Sequence, residues 1–284
     1  MINEKYGEKT LLSFEIFPPK RNDDIYEIYK TLDQIKELNP DFISVTYGAG
    51  GSNSKKTSTL AAYIQNVCDV EALAHITAVG LDDDGLDAFI NELKKKGVYN
   101  VLALRGDKPR AMTDEEFSNR HFKYASDIIP KIKNTGDMFV AAACYPEIHP
   151  ESANQKNDIE FLKYKIDQGV DCLITQMFFD NAVYYNFMEQ LAKNDISIPV
   201  HAGIMPITAV NQLGTSVSLS GSSVPNELST LIAKYADNTD DMKKAGIEYA
   251  VNQINDLKAN HVAGIHLYTM NKAEVTKEIY KATF

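Results

Sequence analysis

The strongest constraint on the fold of this chain is an alternation of short apolar runs with amphipathic patterns, repeated eight times along the sequence. Apolar runs of about four to eight residues have the length of strands, whereas apolar residues that recur every three or four positions indicate helices. The predicted strands are Leu11–Phe17, Phe42–Tyr47, Leu73–Val79, Val101–Leu104, Met138–Tyr145, Cys172–Phe179, Pro199–Met205 and Ile265–Met270. The predicted helices are Asp23–Leu38, Lys55–Val67, a stripe from Leu86 to Leu93, Tyr124–Ile132, Asp158–Gln168, Ala182–Ala192, two or three segments between Val210 and Leu257, and Lys272–Thr283.

Strands that alternate with helices predict a parallel sheet. Eight such units within about 250 residues predict a closed (β/α)8 TIM barrel, with a doubly wound open sheet as the alternative. No linker, low-complexity tract or charge run divides the chain, so residues 1–284 are predicted to form a single catalytic domain. The stretch from Ser216 to Asn226 is the least regular part of the sequence and is predicted to be a surface loop.

The overall charge and the cysteines limit the classes of function. A formal net charge of −10 argues against a protein that binds nucleic acid by neutralising phosphates. Cys68, Cys144 and Cys172 lie far apart without CxxC spacing, so we predict small core residues in a reducing cytoplasm. The first ten residues, MINEKYGEKT, lack the apolar core of a signal peptide, and no apolar run approaches the roughly 20 residues that span a membrane. The sequence therefore predicts a cytoplasmic enzyme.

Polar residues lie within or directly after most of the predicted strands. Barrel enzymes carry their catalytic residues at the C-terminal ends of the strands, so these side chains are expected to face one mouth. Each has an ordinary structural explanation, since a single strand histidine is more often a hydrogen-bonded core residue than a catalyst. Glu15 is harder to explain in this way, because an unpaired buried carboxylate is costly. The set comprises Glu15, Thr46, His75, Arg105, Gly106, Asp107, Tyr145, His149, Gln176, Tyr268 and Asn271.

Other motifs carry less information. The stretch GAGGSN at Gly48–Asn53 follows a strand but fails the GxGxxG pattern, because Asn53 stands at the third glycine position. The sequence has no P-loop and no HExxH, and its histidines and cysteines lack metal-ligand spacing. From the residues alone, the prediction is a barrel enzyme with an acid on the first strand and a polar mouth.

Nine motifs taken together go further. SFEIFPPK, FISVTYGAGG, AHIT, ALRGDKP, YASD, ACYPEIHPES, ITQMFFD, GIMPI and LYTMN occur in that order between about Leu12 and Ala273. In this combination the chain closely resembles methylenetetrahydrofolate reductase in its short bacterial form. The resemblance implies a barrel that holds FAD non-covalently at the strand C-termini. It also implies no inhibition by S-adenosylmethionine.

The resemblance implies a ping-pong reaction. NADH or NADPH reduces FAD and leaves, and methylenetetrahydrofolate then accepts a hydride and becomes methyltetrahydrofolate. Glu15 matches the general acid of the family, which opens the folate ring by protonating a ring nitrogen, and an apolar pocket would raise its pKa. Asp107 matches an aspartate near flavin and pterin. Gln176 matches the folate-binding glutamine, whose amide can donate and accept hydrogen bonds, and Lys272 matches a further substrate contact.

Thirteen residues match family positions that line FAD. Lys165 would pair with a phosphate, Arg105 is a second cationic candidate, and Gly106 would let the backbone approach the cofactor closely. The cofactor residues implied are Thr46, Tyr47, Ala49, His75, Arg105, Gly106, Asp107, Tyr124, Ala125, Tyr145, His149, Asp158 and Lys165.

Four positions depart from the family pattern. Lys272 stands where bacterial relatives often have arginine, and Val210 where an aromatic residue often packs against substrates. Phe161 and Tyr164 stand where polar residues can contact FAD, so the affinity for FAD is expected to differ.

Two other functions remain open from the sequence. One is a different flavin-dependent barrel enzyme, such as a proline-dehydrogenase-like oxidoreductase, and the other is a flavin- or folate-binding subunit without turnover. The resemblance also implies a homo-oligomer, and it leaves open whether NADH, NADPH or a partner protein is the electron donor.

Overall fold

Eight parallel strands, hydrogen-bonded to one another in chain order, close into a barrel. The computed structural model describes residues 1–7, 9–19, 24–47 and 54–284. Strand β1 pairs with both β2 and β8, which confirms the (β/α)8 prediction and excludes an open sheet. The strands are β1 Leu11–Ile16, β2 Phe42–Val45, β3 Glu71–Thr77, β4 Asn100–Leu104, β5 Phe139–Cys144, β6 Cys172–Thr175, β7 Val200–Ile204 and β8 Gly264–Tyr268.

Helices follow the strands and form the outer layer. Short 3-10 turns, Ile2–Lys5 and Lys36–Leu38, precede β1 and follow the first helix. No helix in the described ranges is long and apolar enough to cross a membrane. The helices are α1 Ile25–Ile35, α2 Ser54–Asn66, α3 Asp83–Lys95, α4 Asp114–Ser118, α5 Ala125–Lys133, α6 Gln155–Asp167, α7 Asn181–Lys193, α8 Val210–Ser220, α9 Asn226–Tyr235, α10 Thr239–Ala259 and α11 Ala273–Thr283.

Successive strand residues alternate between the helical layer and the barrel interior, as the period of two of a strand requires. On β1, Leu12, Phe14 and Ile16 pack in the large apolar cluster between strands and helices, so Ser13 and Glu15 point inward. The interior holds a smaller apolar cluster that includes Phe42, Leu73, Leu102, Phe139 and Ile174. It also holds buried polar groups, among them His75, His201 and His266. The barrel core of this protein is therefore unusually polar for a packed (β/α)8 interior.

The N-terminal segment closes the end of the barrel opposite the mouth. Ile2 is fully buried, and its backbone N–H donates to Oδ1 of Asn100, the first residue of β4, at 3.3 Å. The Tyr6 hydroxyl lies 2.8 Å from Nε2 of the buried His201. These contacts seat the segment against the N-terminal ends of the strands.

The predicted elements are present, with ends that differ by at most four residues. The predicted start of the first helix at Asp23 lies outside the described residues, and the helix is observed from Ile25. The sequence reasoning missed α4, although Thr113 and Glu116 form a reciprocal capping box there. The cysteine prediction is confirmed, since Cys68, Cys144 and Cys172 are free and buried.

The prediction of a surface loop from Ser216 to Asn226 is wrong for Ser216–Ser220, whereas residues 221–225 do connect α8 to α9 without helix or strand. Helix α8 continues to Ser220, and Ser216, Ser220 and Ser222 are buried. The Ser222 hydroxyl donates to the Met177 carbonyl at 2.5 Å. The polar residues that suggested a loop are instead satisfied by hydrogen bonds within the fold.

Candidate active site at the C-terminal mouth of the barrel

A cavity of about 1000 Å³ opens at the C-terminal ends of the strands. This volume is at the upper end of the ~300–1,000 Å³ typical of ligand sites. Leu102, Leu104, Met177 and Met205 supply part of its apolar wall. Nine of the residues predicted from the sequence line it: Glu15, Thr46, Tyr47, His75, Gly106, Asp107, Tyr145, Gln176 and Tyr268.

Glu15 lies at the bottom of this cavity between two imidazoles. Its Oε2 is 3.4 Å from Nε2 of His266 on β8 and 3.5 Å from Nε2 of His75 on β3. The Glu15 side chain is 18% exposed, while both histidines are almost fully buried. The carboxylate therefore reaches the ligand space from a buried group of three titratable side chains.

An apolar pocket, the condition under which the pKa of Glu15 was expected to rise, is not what the structure has. Burial by itself raises the pKa of Glu15, but the hydrogen bond with His266 and the nearby imidazoles outweigh it and hold the pKa below its usual value. The pocket around the carboxyl group is not apolar, because β3 and β8 each place a histidine beside it. Burial also lowers the pKa of His75 to about 4, so His75 is neutral at pH 7.

Ser13 influences which nitrogen of His266 carries a proton. The Ser13 hydroxyl lies 2.7 Å from His266 Nδ1 and donates to the Ile265 carbonyl at 3.2 Å. A hydroxyl has one proton, so while it donates to Ile265 it accepts from Nδ1–H. The ring then presents Nε2 to Glu15, and their contact requires one proton, either on the carboxyl group or on Nε2. Glu15 thus has a second titratable group directly beside it.

Gln176 presents one end of its amide to the cavity. Its side-chain oxygen accepts from the Met177 backbone N–H at 2.9 Å, which leaves the NH2 group as donor and a second lone pair on the oxygen as acceptor. The prediction that this amide both donates to and accepts from a ligand stays a prediction. Asp107 is exposed on the cavity wall just after β4, where a carboxylate can face a cationic ligand atom.

Gly106 is required by backbone conformation and by a protein neighbour. Its φ is +83°, which side chains other than glycine rarely adopt, and an added Cβ would lie 2.9 Å from Cβ of Thr77. The structure thus gives a reason for this glycine that does not involve close approach of a cofactor.

Four predicted cofactor residues form a network beside the cavity, not in its wall. Arg105 Nη1 contacts Glu151 Oε2 at 2.5 Å. Lys165 donates to the Ala143 carbonyl at 2.5 Å, and burial lowers its pKa. Asp158 accepts from the His149 backbone N–H at 3.1 Å and from the Ser152 hydroxyl at 2.8 Å. The network fixes the turn after β5 and places two cations next to the mouth.

The remaining predicted residues lie further out. Tyr124 is 59% exposed at the N-terminus of α5, and Ala125 is buried beside it. Lys272 lies outside the cavity wall, where it donates to the Thr208 hydroxyl at 3.3 Å. Ala49 lies outside the described residues. The departures Phe161, Tyr164 and Val210 are exposed on α6 and at the start of α8.

Sequence reasoning missed His266, Thr77 and the methionines Met112, Met177, Met205 and Met270 as cavity or acid-site residues. The signal for His266 lies in the sequence GIHLY, in which Ile265 and Leu267 face the helices and His266 faces inward. A strand of five residues is too short for this alternation to be read from the sequence alone.

The cavity fits a large planar ligand with polar edges, such as a flavin. His75 Nε2 is buried and has no hydrogen-bond partner among the described residues, apart from its long ionic contact with Glu15. The Gln176 amide donor and apolar walls share the same space, and Arg105 and Lys165 lie alongside it for a phosphate group. The donor set is thus compatible with FAD.

The model of the family described as methylenetetrahydrofolate reductase matches residues 2–283. The 5,10-methylenetetrahydrofolate reductase of Buchnera aphidicola subsp. Schizaphis graminum is 33% identical over 283 residues, covering 97% of this chain and 92% of that protein. The corresponding protein of Pectobacterium carotovorum subsp. carotovorum is 30% identical and covers 94% and 88%. Methylenetetrahydrofolate reductase (NADH) 1 of Arabidopsis thaliana is 31% identical over 93% of this chain and 46% of its own length, so the chain spans about half of that relative.

A solved structure shares the fold. A protein from Clostridium thermocellum, described as binding two copies of 5-methyl-5,6,7,8-tetrahydrofolic acid, has a TM-score of 0.65 and 14% identity over 99% of this chain and 96% of that chain. At this identity the likeness supports the barrel architecture alone. The match of the family model to nearly the whole sequence and the bacterial relatives settle the family: this chain belongs to the methylenetetrahydrofolate reductases.

Proposed function

We propose that this protein is an FAD-dependent oxidoreductase that reduces 5,10-methylenetetrahydrofolate to 5-methyltetrahydrofolate, with NADH or NADPH as the electron donor in a ping-pong reaction. The observation that carries the proposal is the arrangement at one cavity of the Glu15 carboxyl group beside His266, the Gln176 amide and the exposed Asp107 carboxylate. Membership of the family supports the same reaction. The cytoplasmic location, the single catalytic domain and the homo-oligomeric state stay predictions.

The residues around the mouth divide between cofactor and substrate. When bound, FAD supplies a site that accepts hydride from the nicotinamide and later gives it to folate. Thr46, Tyr47, His75, Gly106 and Tyr145 would hold its ring system within the cavity. Arg105 and Lys165, with the turn that His149 and Asp158 stabilise, would hold its phosphates, and Tyr124 and Ala125 would border the outer part.

Glu15 supplies the proton that folate reduction needs. The methylene carbon becomes an effective hydride acceptor once its five-membered ring opens to an iminium cation, and ring opening requires a proton on a ring nitrogen. The pair formed with His266 holds that proton at the cavity floor. A ligand stacked on the mouth removes the remaining solvent from Glu15, and this further burial moves its pKa upward, toward the protonated form.

The other polar groups act on the same ligand. The Asp107 carboxylate stabilises the cationic iminium electrostatically in a site that excludes water. The Gln176 amide donates to an acceptor on the pterin edge. Lys272 contributes charge near the substrate as a compact ammonium, without the bidentate geometry of arginine.

The deciding experiment is an anaerobic visible spectrum of the FAD-loaded protein. Flavin is reduced with NADH, excess NADH is removed, and methylenetetrahydrofolate is added. Return of the oxidised flavin bands with formation of methyltetrahydrofolate is the expected result. Flavin that stays reduced would contradict the proposal and direct attention to proline-type substrates. A bound flavin that NADH and NADPH cannot reduce would point to a binding subunit or to a partner protein as electron donor.

The Glu15→Gln variant tests the role of Glu15 as the acid independently of the other residues of the site. The variant should still exchange hydride between nicotinamide and flavin, while oxidation of the reduced flavin by folate slows by about 10²–10⁴-fold, the usual contribution of a general acid. Asp41→Asn is a matched control, because Asp41 is a buried carboxyl group at the other end of the barrel that bonds to the Leu12 N–H and Lys9. Loss of both half-reactions in Glu15→Gln would refute the acid assignment.

A further inference from the structure

Tyr268 makes a hydrogen bond across the mouth that skips one strand. It is the last residue of β8, and its hydroxyl donates to the Thr175 carbonyl at the end of β6, 2.8 Å away. The intervening strand β7 pairs with both of these strands. The bond therefore joins the ends of β6 and β8, two strands that are not neighbours in the barrel.

A glycine on β7 makes room for this crossing. A Cβ placed on Gly203 would lie 2.3 Å from the Thr175 carbonyl oxygen and 2.8 Å from the Tyr268 hydroxyl. The Gly203 N–H also donates to Thr175 Oγ1 at 2.9 Å. Thr175 is thus held at its carbonyl by Tyr268 and at its side-chain hydroxyl by Gly203, directly before Gln176.

The ring of Tyr268 packs against the acid pair. It stands edge-on to the His266 ring, with centroids 5.5 Å apart and planes at 85°. His266 in turn faces Glu15 at 3.4 Å. Burial raises the pKa of the Tyr268 hydroxyl well above its usual value, so it stays a donor at all working pH values.

We propose that Tyr268 is a positioning residue that fixes the His266 ring and Gln176 relative to each other, so that the proton donor and the amide donor address the same bound folate. The proposal rests on the proposed function. Tyr268 packs its ring against His266 and bonds through its hydroxyl to the Thr175 carbonyl, in the peptide that precedes Gln176. Movement at either end is thereby transmitted to the other.

Removal of the Tyr268 hydroxyl should loosen both the contact with His266 and the hold on Thr175. Tyr268→Phe keeps the ring but leaves the Thr175 carbonyl without this donor, so the ring is free to tilt against His266. The titratable groups that face Glu15 are His75 on β3 and His266 and Tyr268 on β8. Because the bond with His266 lowers the pKa of Glu15, a looser pair raises that pKa.

The test compares Tyr268→Phe with Tyr184→Phe in the FAD-loaded protein. Tyr184 also donates a buried hydroxyl to a barrel carbonyl, that of Val200 at 3.1 Å, but it lies on the outer helix α7. In Tyr268→Phe the low-pH plateau rate of the folate half-reaction should fall about tenfold, the effect of one buried hydrogen bond, and its pH profile should move to higher pH. Flavin reduction by NADH should change by less than about twofold, because that step needs no proton from Glu15. Tyr184→Phe should lose similar thermal stability and change neither profile.

A second measurement does not depend on turnover. In ligand-free protein labelled with ¹⁵N-histidine, Tyr268→Phe should displace the Nε2 resonance of His266, and Tyr184→Phe should leave it in place. An unchanged resonance together with an unchanged pH profile would overturn the proposal and leave Tyr268 a structural residue. If the wild-type protein fails to react with methylenetetrahydrofolate, the proposed function fails, while the histidine spectrum still decides the positioning role.

Discussion

At the scale of single residues, the chemistry of the site depends on which side chains face each other across the barrel. Glu15 and His266 are 251 positions apart in sequence, yet their side chains are 3.4 Å apart. The depth of burial alone predicts a raised pKa for Glu15, and the two imidazoles reverse that direction. The acid is therefore controlled by its partners, and a ligand that changes its solvent exposure can change its protonation.

A substitution at Gln176 tests directly whether its side chain donates a hydrogen bond to the folate. In Gln176→Glu the new carboxylate can still accept from the Met177 N–H, but it presents an anionic acceptor where the amide offered a donor. We expect the dissociation constant for methyltetrahydrofolate to rise at least about tenfold with little loss of stability. Gln190→Glu on the outer face of α7 is the control and should leave binding unchanged. Titration of the FAD-loaded protein measures both, and equal affinity in the two variants would contradict the donor role.

Much of the candidate site could be predicted from single residues, because strand ends are recognisable in sequence and a barrel brings them to one mouth. Glu15, His75 and Gln176 were found in this way and do line one cavity. His266 was not, because a five-residue strand gives too short a pattern to show which side chains point inward. The hydrogen-bond network around Asp158 and Arg105 depends on contacts between loops, and no local pattern encodes these.

At the scale of elements, the positions of the helices depend on close contacts that cannot be recognised in the helix sequences. Gly246 in α10 lies against the loop after β7, where an added Cβ would be 1.8 Å from the Ile207 carbonyl oxygen. Gly214 in α8 has no atom within 4 Å of the corresponding position. The two helical glycines therefore have different reasons to be present.

The same substitution should have opposite effects at these two positions. Gly214→Ala is expected to stabilise the protein by about 0.5–1 kcal/mol, because alanine restricts the unfolded chain and favours the helix. Gly246→Ala is expected to destabilise it by at least about 2 kcal/mol, because the backbone of the β7–α8 loop must shift. Urea unfolding of both variants measures the difference. Stabilisation by Gly246→Ala would show that α10 does not pack so closely on that loop.

The strands and helices were predictable because their apolar periodicity is local and repeats along the chain. The ends of the helices and strands were less predictable, since the capping of a helix end depends on a single hydrogen bond. The segment from Ser216 to Asn226 shows the limit most clearly. Its serines match a loop in composition, but the contact of Ser222 with Met177, 45 positions away, draws them into the fold.

At the scale of the whole molecule, the histidines buried inside the barrel link its stability to pH. Burial lowers the pKa of His201 to about 3 and that of His75 to about 4, whereas each titrates near 6.5 in the unfolded chain. Between these values the unfolded state binds more protons than the folded state. Stability is therefore complete above about pH 6.5 and falls as the pH decreases toward the folded pKa values.

His201→Gln should flatten this dependence. Each histidine that is neutral when folded and protonated when unfolded contributes a slope of up to about 1.4 kcal/mol per pH unit to the free energy of unfolding. Glutamine keeps a hydrogen-bonding side chain near the Tyr6 hydroxyl but takes up no proton. Between pH 6 and pH 4.5, the slope measured by urea unfolding should thus fall by roughly 1 kcal/mol per pH unit relative to the wild type. His121→Gln, at a side chain that is 50% exposed, should keep the original slope. An equal slope in wild type and His201→Gln would mean that His201 takes up its proton in the folded barrel, and that the interior beneath Glu15 admits charge more readily than its burial implies.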